Sequence, residues 1–202
     1  GDVGHALEPY LNEIAREISV VANDRKTVIF LPLIQTSKKM QEALIAHGIS
    51  ACEVNGESPD RREILSAFER GEFQALCNSM LLTEGWDCPS VDCLVCLRPT
   101  KIRSLYAQIV GRGTRIHPGK TNLLLLDFLW LTSRHDLVRP AHLIAPSDEV
   151  AHEMTRALET GGAADLQEIK DAAEKEILHE REAALIKQLE EQRRKKRRLV
   201  DP

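Results

Sequence analysis

Apolar residues Leu7, Leu11, Ile14, Ile18 and Val21 recur at intervals of three and four, which predicts an amphipathic helix ahead of a first buried strand, TVIFL at Thr27–Leu31. Thr36 or Ser37 is expected to cap a helix running to His47, with Gly48 as its stop. A strand around Ile49–Val54 follows, then a turn at Asn55 and Gly56. Ser58 as cap and Pro59 at the first helical position predict another helix, with Ile64, Leu65 and Phe68 inward and Gly71 at its end. Further strands are expected at Gln74–Cys77, Val91–Leu97 and Asn122–Asp127, with a helix from about Ile102 to Gly111 between the last two. Strands alternating with helices imply an open, doubly wound α/β fold whose parallel sheet is covered on both faces. In such sheets the ligand crevice lies outside the carboxyl ends of the strands.

Beyond Phe128 the periodicity loosens, and Pro140 and Pro146 punctuate what reads as an irregular connection. From Asp165 the composition turns to Ala, Glu, Lys, Arg and Leu and ends in RRKKRR at Arg193–Arg198. Ile169, Ala173, Ile177, Ala184 and Leu185 form a thin apolar stripe on a long charged helix. The expected organisation is therefore an N-terminal helix and linker at 1–25, the α/β lobe at 26–133, an irregular connection at 134–162 and a charged helical extension at 163–202.

A chain of 202 residues with 43% apolar residues can bury one compact core plus extra helices. Its formal charge of −4 excludes a uniformly basic nucleic-acid binder but leaves room for local basic patches. Five cysteines without a secreted-type framework suit a reducing, cytoplasmic setting. The apolar run Leu123–Leu131 is broken by Asp127 and falls short of the roughly 20 residues of a membrane span. The absence of an initiator Met before GDVGH is the mark expected of a fragment.

The segment QIVGRGTR at Gln108–Arg115 sets Arg112 and Arg115 three residues apart, side by side on one helix face. Guanidinium is permanently charged and forks onto phosphate oxygens, so such a pair suits the charge that develops in phosphoryl transfer. The plainer alternative is a basic helix face making surface ion pairs. Upstream lie LLTEGWDCPSVD at Leu81–Asp92, TVIFLPLIQTSKKM at Thr27–Met40 and DRREILSAFERGE at Asp60–Glu72.

This ordered set resembles motifs IV, V and VI of the second RecA-like lobe of superfamily 2 helicases, over residues from about Lys26 to Phe128. Within the superfamily, Arg98–Phe128 is most similar to RadD-type and restriction-subunit-type DNA helicases and translocases. The resemblance implies that Arg112 and Arg115 reach the γ-phosphate across an inter-lobe cleft, with Arg115 as the finger, and that Gln108 couples the lobes. It also implies that Gly85 and Asp87 approach the nucleotide, the carboxylate accepting from a ribose hydroxyl; the alternative is ordinary turn punctuation beside Pro89. ATP with Mg2+ would be held mainly by an N-terminal RecA-like lobe absent from these residues. Nucleic-acid backbone would meet Thr36 and Ser37, Asn55 and Gly56, and Asn78 and Ser79, Ser79 matching a strand-contacting hydroxyl of the family. Glu84 stands where many RNA helicases carry Arg, which favours DNA as the partner.

Other groupings read as structural. Gly119, Lys120 and Thr121 imitate the tail of a P-loop, but Thr114 occupies the required Gly position and a strand follows where a helix should. LLLLD, ending at Asp127, reads as a buried strand end and lacks an acidic partner at Phe128. Cys93 and Cys96 point to opposite faces of a strand, so with Cys88 they make no metal site. His135 and Asp136 lack companion ligands. The expected function is the C-terminal motor lobe of an ATP-dependent DNA helicase or translocase, inactive alone for want of a P-loop. The rival is a non-catalytic RecA-like module that binds a protein partner through its charged C-terminal helix.

Overall fold

The computed structural model describes residues 6–79, 86–98, 100, 102–128, 138–161 and 164–200. They fall into two compact units, Gly1–Val138 and Arg139–Pro202.

In the first unit a short 3-10 helix, Glu8–Tyr10, leads into α1, Leu11–Val21. The unit continues as β1 Thr27–Phe30, α2 Ile34–Ala46, β2 Ala51–Val54, α3 Arg61–Glu69, β3 Ala75–Asn78, β4 Cys93–Cys96, α4 Arg103–Gly113 and β5 Leu124–Asp127. Among the described residues the strands form one parallel sheet in the order β2-β3-β1-β4-β5. Right-handed crossovers require α2, which carries the chain from β1 to β2, to lie on the opposite face from α3 and α4, which carry it the other way. The first face packs Ile29, Leu31, Ala75, Cys77, Cys93, Val95 and Leu97 against Leu11, Ile14, Ile18, Met40 and Leu44 of α1 and α2. This is where the amphipathic stripe of the N-terminal helix finds its partner surface.

Several local expectations change. Leu33, in extended conformation, is the N-cap of α2, so Thr36 and Ser37 lie inside the helix rather than at its cap. The Thr36 hydroxyl donates back to the Leu33 carbonyl at 2.9 Å, a bond open to Thr within a helix. Helix α3 starts at Arg61 behind Asp60, not at Pro59. Ser58 instead accepts the Asn55 amide at 3.0 Å and closes the turn after β2. Gly48 and Gly71 do terminate their helices, at φ of 84° and 81°, where a side chain would be strained. Strand β5 is half-buried rather than buried, because it pairs with β4 and lies at the sheet edge.

The second unit is helical. The stretch expected to be irregular contains a 3-10 helix, Pro140–Leu143, and a regular helix, α5 Asp148–Gly161. Val150, Ala151 and Met154 supply that helix with an inward stripe, which prolines on either side of Ala145 had obscured. Asp165 accepts the amides of Gln167 and Glu168 at 2.7 and 3.2 Å and so caps the first turn of α6, Leu166–Val200. Ala173 and Ile177 are buried with α5, whereas Leu185, the next member of the expected stripe, is 57% exposed.

Candidate functional site

Helix α4 runs from the carboxyl end of β4 to the amino end of β5 and delivers Arg112 and Arg115 to the amino-terminal edge of the sheet. Gln108 and Arg112 share a stripe at i and i+4, and Gln108 is exposed. Arg115 lies just past the C-cap Thr114. Close packing sets the height of this helix end. A Cβ on Gly113 would come within 2.7 Å of the Leu94 and Leu123 side chains, whereas one on Gly111 would meet nothing within 4 Å. Gly113 therefore lets α4 sit directly on β4, and Gly111 has no such duty.

Both arginines turn toward the loop that enters β4. Arg112 Nη1 donates to the Trp86 carbonyl at 2.6 Å, and Arg115 Nη1 forms an ion pair with Asp87 Oδ2. The Arg115 side chain is 56% exposed and that of Asp87 39%, so this charge pair faces solvent. Arg112 is half-buried. Gly85 and Glu84 lie outside the described residues, as do His135 and Asp136.

The same loop is held from behind. Asp92 accepts the Lys26 amide at 2.8 Å, and its own carbonyl accepts Arg25 Nη1 at 3.1 Å. Lys26 Nζ donates to Ser90 Oγ at 3.1 Å and to the Glu69 carbonyl at 2.9 Å, and lies 5.1 Å from the centre of the Phe68 ring. Trp86 packs on Phe68 with ring centroids 6.2 Å apart. Lys120 bonds to the carbonyls of Pro89, Val91, Gly113 and Arg115. Burial lowers the pKa of Lys120 from its ordinary value, opposed by the nearby Asp92. Sequence reading passed over Arg25, Lys26 and Asp92, and treated Lys120 as turn punctuation. Most of their partners lie 29 to 97 residues away in the chain, beyond any local spacing.

The candidate nucleic-acid residues collect at the opposite edge, around the carboxyl ends of β1, β2 and β3. The sheet thus separates the two candidate sets, where a single crevice outside the carboxyl ends was expected. Thr36, Ser37, Asn55, Asn78 and Ser79 are buried, and Gly56 is exposed. Asn55 is occupied locally: its Oδ1 accepts the Glu57 amide at 2.7 Å, and its amide donates to the Glu53 carboxylate at 3.0 Å. Among the described residues, Ser37 Oγ, both polar atoms of Asn78 and Ser79 Oγ have no hydrogen-bond partner. A buried polar atom without a protein partner is met in native folds by water, an ion or a ligand.

All five cysteines are free and buried. Burial pushes Cys52 and Cys96 up to about 12 and Cys93 up to about 11. Among the described residues no three His, Cys, Asp or Glu side chains gather as metal ligands, and no helix is long and apolar enough to cross a membrane. A cavity of about 400 Å³ between α1 and β5, lined by Tyr10, Ile14, Leu126 and Phe128 among others, contains none of the candidate residues.

Comparison with known proteins matches residues 10–117 to the family described as helicase conserved C-terminal domain. The chain is 37% identical over 109 residues to irc3 of Schizosaccharomyces pombe, named as a candidate mitochondrial ATP-dependent helicase; the match covers 53% of this chain and 18% of that protein. Among solved structures it is similar to a fragment assigned to the HsdR subunit of a type I restriction enzyme from Vibrio vulnificus, at 25% identity and a TM-score of 0.52, over 62% of this chain and 27% of that one. The Saccharomyces cerevisiae Dbp5 C-terminal domain shares the fold, with a TM-score of 0.52 and 15% identity over 83% of this chain and 92% of that one. The chain spans less than a fifth of the length of irc3.

Proposed function

The chain belongs to the family of helicase conserved C-terminal domains, and from that premise we propose that it works as the C-terminal motor lobe of an ATP-dependent DNA helicase or translocase. The observation that carries this reading is the convergence of Arg112 and Arg115 on the Asp87 loop, with the Arg115–Asp87 pair open to solvent. Two guanidinium groups and a carboxylate on one open edge fit a magnesium nucleotide presented by a facing lobe, because Arg115 and Asp87 can exchange each other for partners on the nucleotide while Arg112 has donors to spare. Bound ATP, with its Mg2+ held mainly by the N-terminal RecA-like lobe, supplies the phosphoryl group and the charge to be stabilised.

Arg115 is the finger. Its exposed head leaves Asp87 for phosphate oxygens on lobe closure, and the freed Asp87 carboxylate accepts a ribose hydroxyl. Arg112, anchored on the Trp86 carbonyl, contributes its remaining donors from a fixed position. Gln108, exposed one turn earlier, hydrogen-bonds across the cleft. At the other edge, the exposed Gly56 after β2 and the segment that follows Asn78 and Ser79 at the end of β3 would meet the nucleic-acid backbone in a sequence-independent way. Glu84 in the motif and the likeness to a restriction-enzyme subunit support DNA over RNA. Five free thiols support a reducing interior.

The test is ATP turnover by the full-length protein with no nucleic acid, with single-stranded DNA, with duplex DNA and with RNA. DNA-stimulated hydrolysis that falls about 10³-fold or more in Arg115→Ala is expected. Undiminished turnover in that variant, or stimulation by RNA alone, overturns the reading.

A further inference from the structure

Lys120 lies five residues past Arg115, in a turn made by Gly119 at φ 83°. Its ammonium reaches two segments that are remote in sequence. From the loop that carries Asp87 come the carbonyls of Pro89, at 3.3 Å, and Val91. From the end of α4 come the carbonyls of Gly113 and of Arg115, the latter at 3.1 Å. An ammonium has three N–H donors, and four carbonyls share them. The Gly113 and Arg115 carbonyls belong to the last turn of α4 and its exit, where a helix leaves orphan acceptors and favours a cation.

We propose that Lys120 is the positioning residue of the arginine pair, its ammonium fastening the Asp87 loop to the end of α4 so that Arg115 meets Asp87 and the nucleotide in one fixed register. This rests on the role given to Arg115 above. No other cation among the described residues links these two segments through backbone carbonyls on both. Gly113 packing and the Lys26 contacts hold the two segments separately, and Arg112 and Arg115 cross between them only through long side chains. Lys120 adds the direct tie between their backbones. A misplacement of about 1 Å in a catalytic group can cost on the order of 100-fold in rate, which sets the size of the expected effect.

The experiment is a double-mutant cycle in the full-length protein, read by single-turnover phosphate release and by the separate kcat and KM for ATP. Lys120→Met keeps the apolar stem and removes the ammonium. It is expected to lower kcat about 10- to 100-fold with KM for ATP altered less than about threefold. In the Arg115→Ala background the same substitution should cost little further, because a group that acts through Arg115 has nothing left to position. Losses that simply add overturn the proposal, as does wild-type kcat in Lys120→Met. If Lys120→Met does not fold, Lys120→Arg, which keeps the cation but replaces a compact ammonium by a planar fork, carries the same cycle. Wild-type turnover in Arg115→Ala removes the arginine-finger reading itself. An inactive Arg115→Ala beside a fully active Lys120→Met removes the Lys120 proposal alone.

Discussion

At the scale of single residues, exposure separates what a side chain contributes to chemistry from what it contributes to the fold. Arg115 and Asp87 form a solvent-facing pair, a kind of contact worth about 0–1 kcal/mol. Arg115→Ala is therefore expected to shift the melting temperature by no more than a few degrees while removing ATP turnover, checked by thermal unfolding beside a hydrolysis assay. The two glycines of the motif make the opposite contrast. Gly113→Ala drives a methyl group into Leu94 and Leu123 and should destabilise by about 1–3 kcal/mol. Gly111→Ala, with open space around it, should be neutral or stabilise by about 1 kcal/mol through helix propensity. Urea unfolding of the two variants side by side measures the difference.

The buried thiols carry a pH dependence with a definite sign. In the folded state Cys52, Cys93 and Cys96 hold their protons up to about 11 to 12, against an ordinary value of 9.0. Above pH 9 the unfolded chain sheds protons that the folded chain keeps, so unfolding free energy falls as pH rises from about 9 toward 12. Replacing these cysteines by Ala or Val should flatten that alkaline slope in urea titrations. At neutral pH the native thiols should also react with iodoacetamide far more slowly than those of urea-unfolded protein.

At the scale of elements, amphipathic segments and the glycine stops revealed themselves and N-terminal caps did not. Spacing alone gave Leu11, Ile14 and Ile18 of α1, Leu65 and Phe68 of α3 and Ala173 and Ile177 of α6, whereas Val21, Ala184 and Leu185, expected in the same stripes, are exposed. The starts of α2 and α3 shifted because backbone conformation at Leu33 and Asp60, not the nearest Ser or Thr, set the first turn. Helix α5 went unread because its apolar face is short and its flanking prolines resemble loop punctuation. Its Met154 is fully buried with Ala173 and Ile177 of α6, so Met154→Ala should cost about 2–5 kcal/mol in the helical unit. Hydrogen exchange should show lost protection in α5 and α6 while the amides of β1 and β3 stay as protected as in the wild type.

At the scale of the whole molecule, the sheet divides the candidate chemistry. The arginines and Asp87 stand at the amino end of β4, and Ser37, Asn78 and Ser79 stand at the carboxyl ends of their strands and the helix behind them. Under the proposed function, this separation would place the nucleotide and the nucleic acid at different edges of one sheet. Residues 1 to 202 contain no P-loop, so this segment alone is expected to show no ATP turnover above buffer in a steady-state assay, even with DNA present.

The sequence by itself determined the parallel α/β order, the family resemblance and the identity of the cationic pair. Those depend on residue type and on spacing within a turn or a strand, which are local quantities. Only the tertiary structure decided that Arg112 and Arg115 close on the Asp87 loop and that Lys120 binds two distant segments together. Each of these is a contact between residues far apart in the chain, and its existence follows from strand order, crossover hand and packing height, none of which a local pattern encodes.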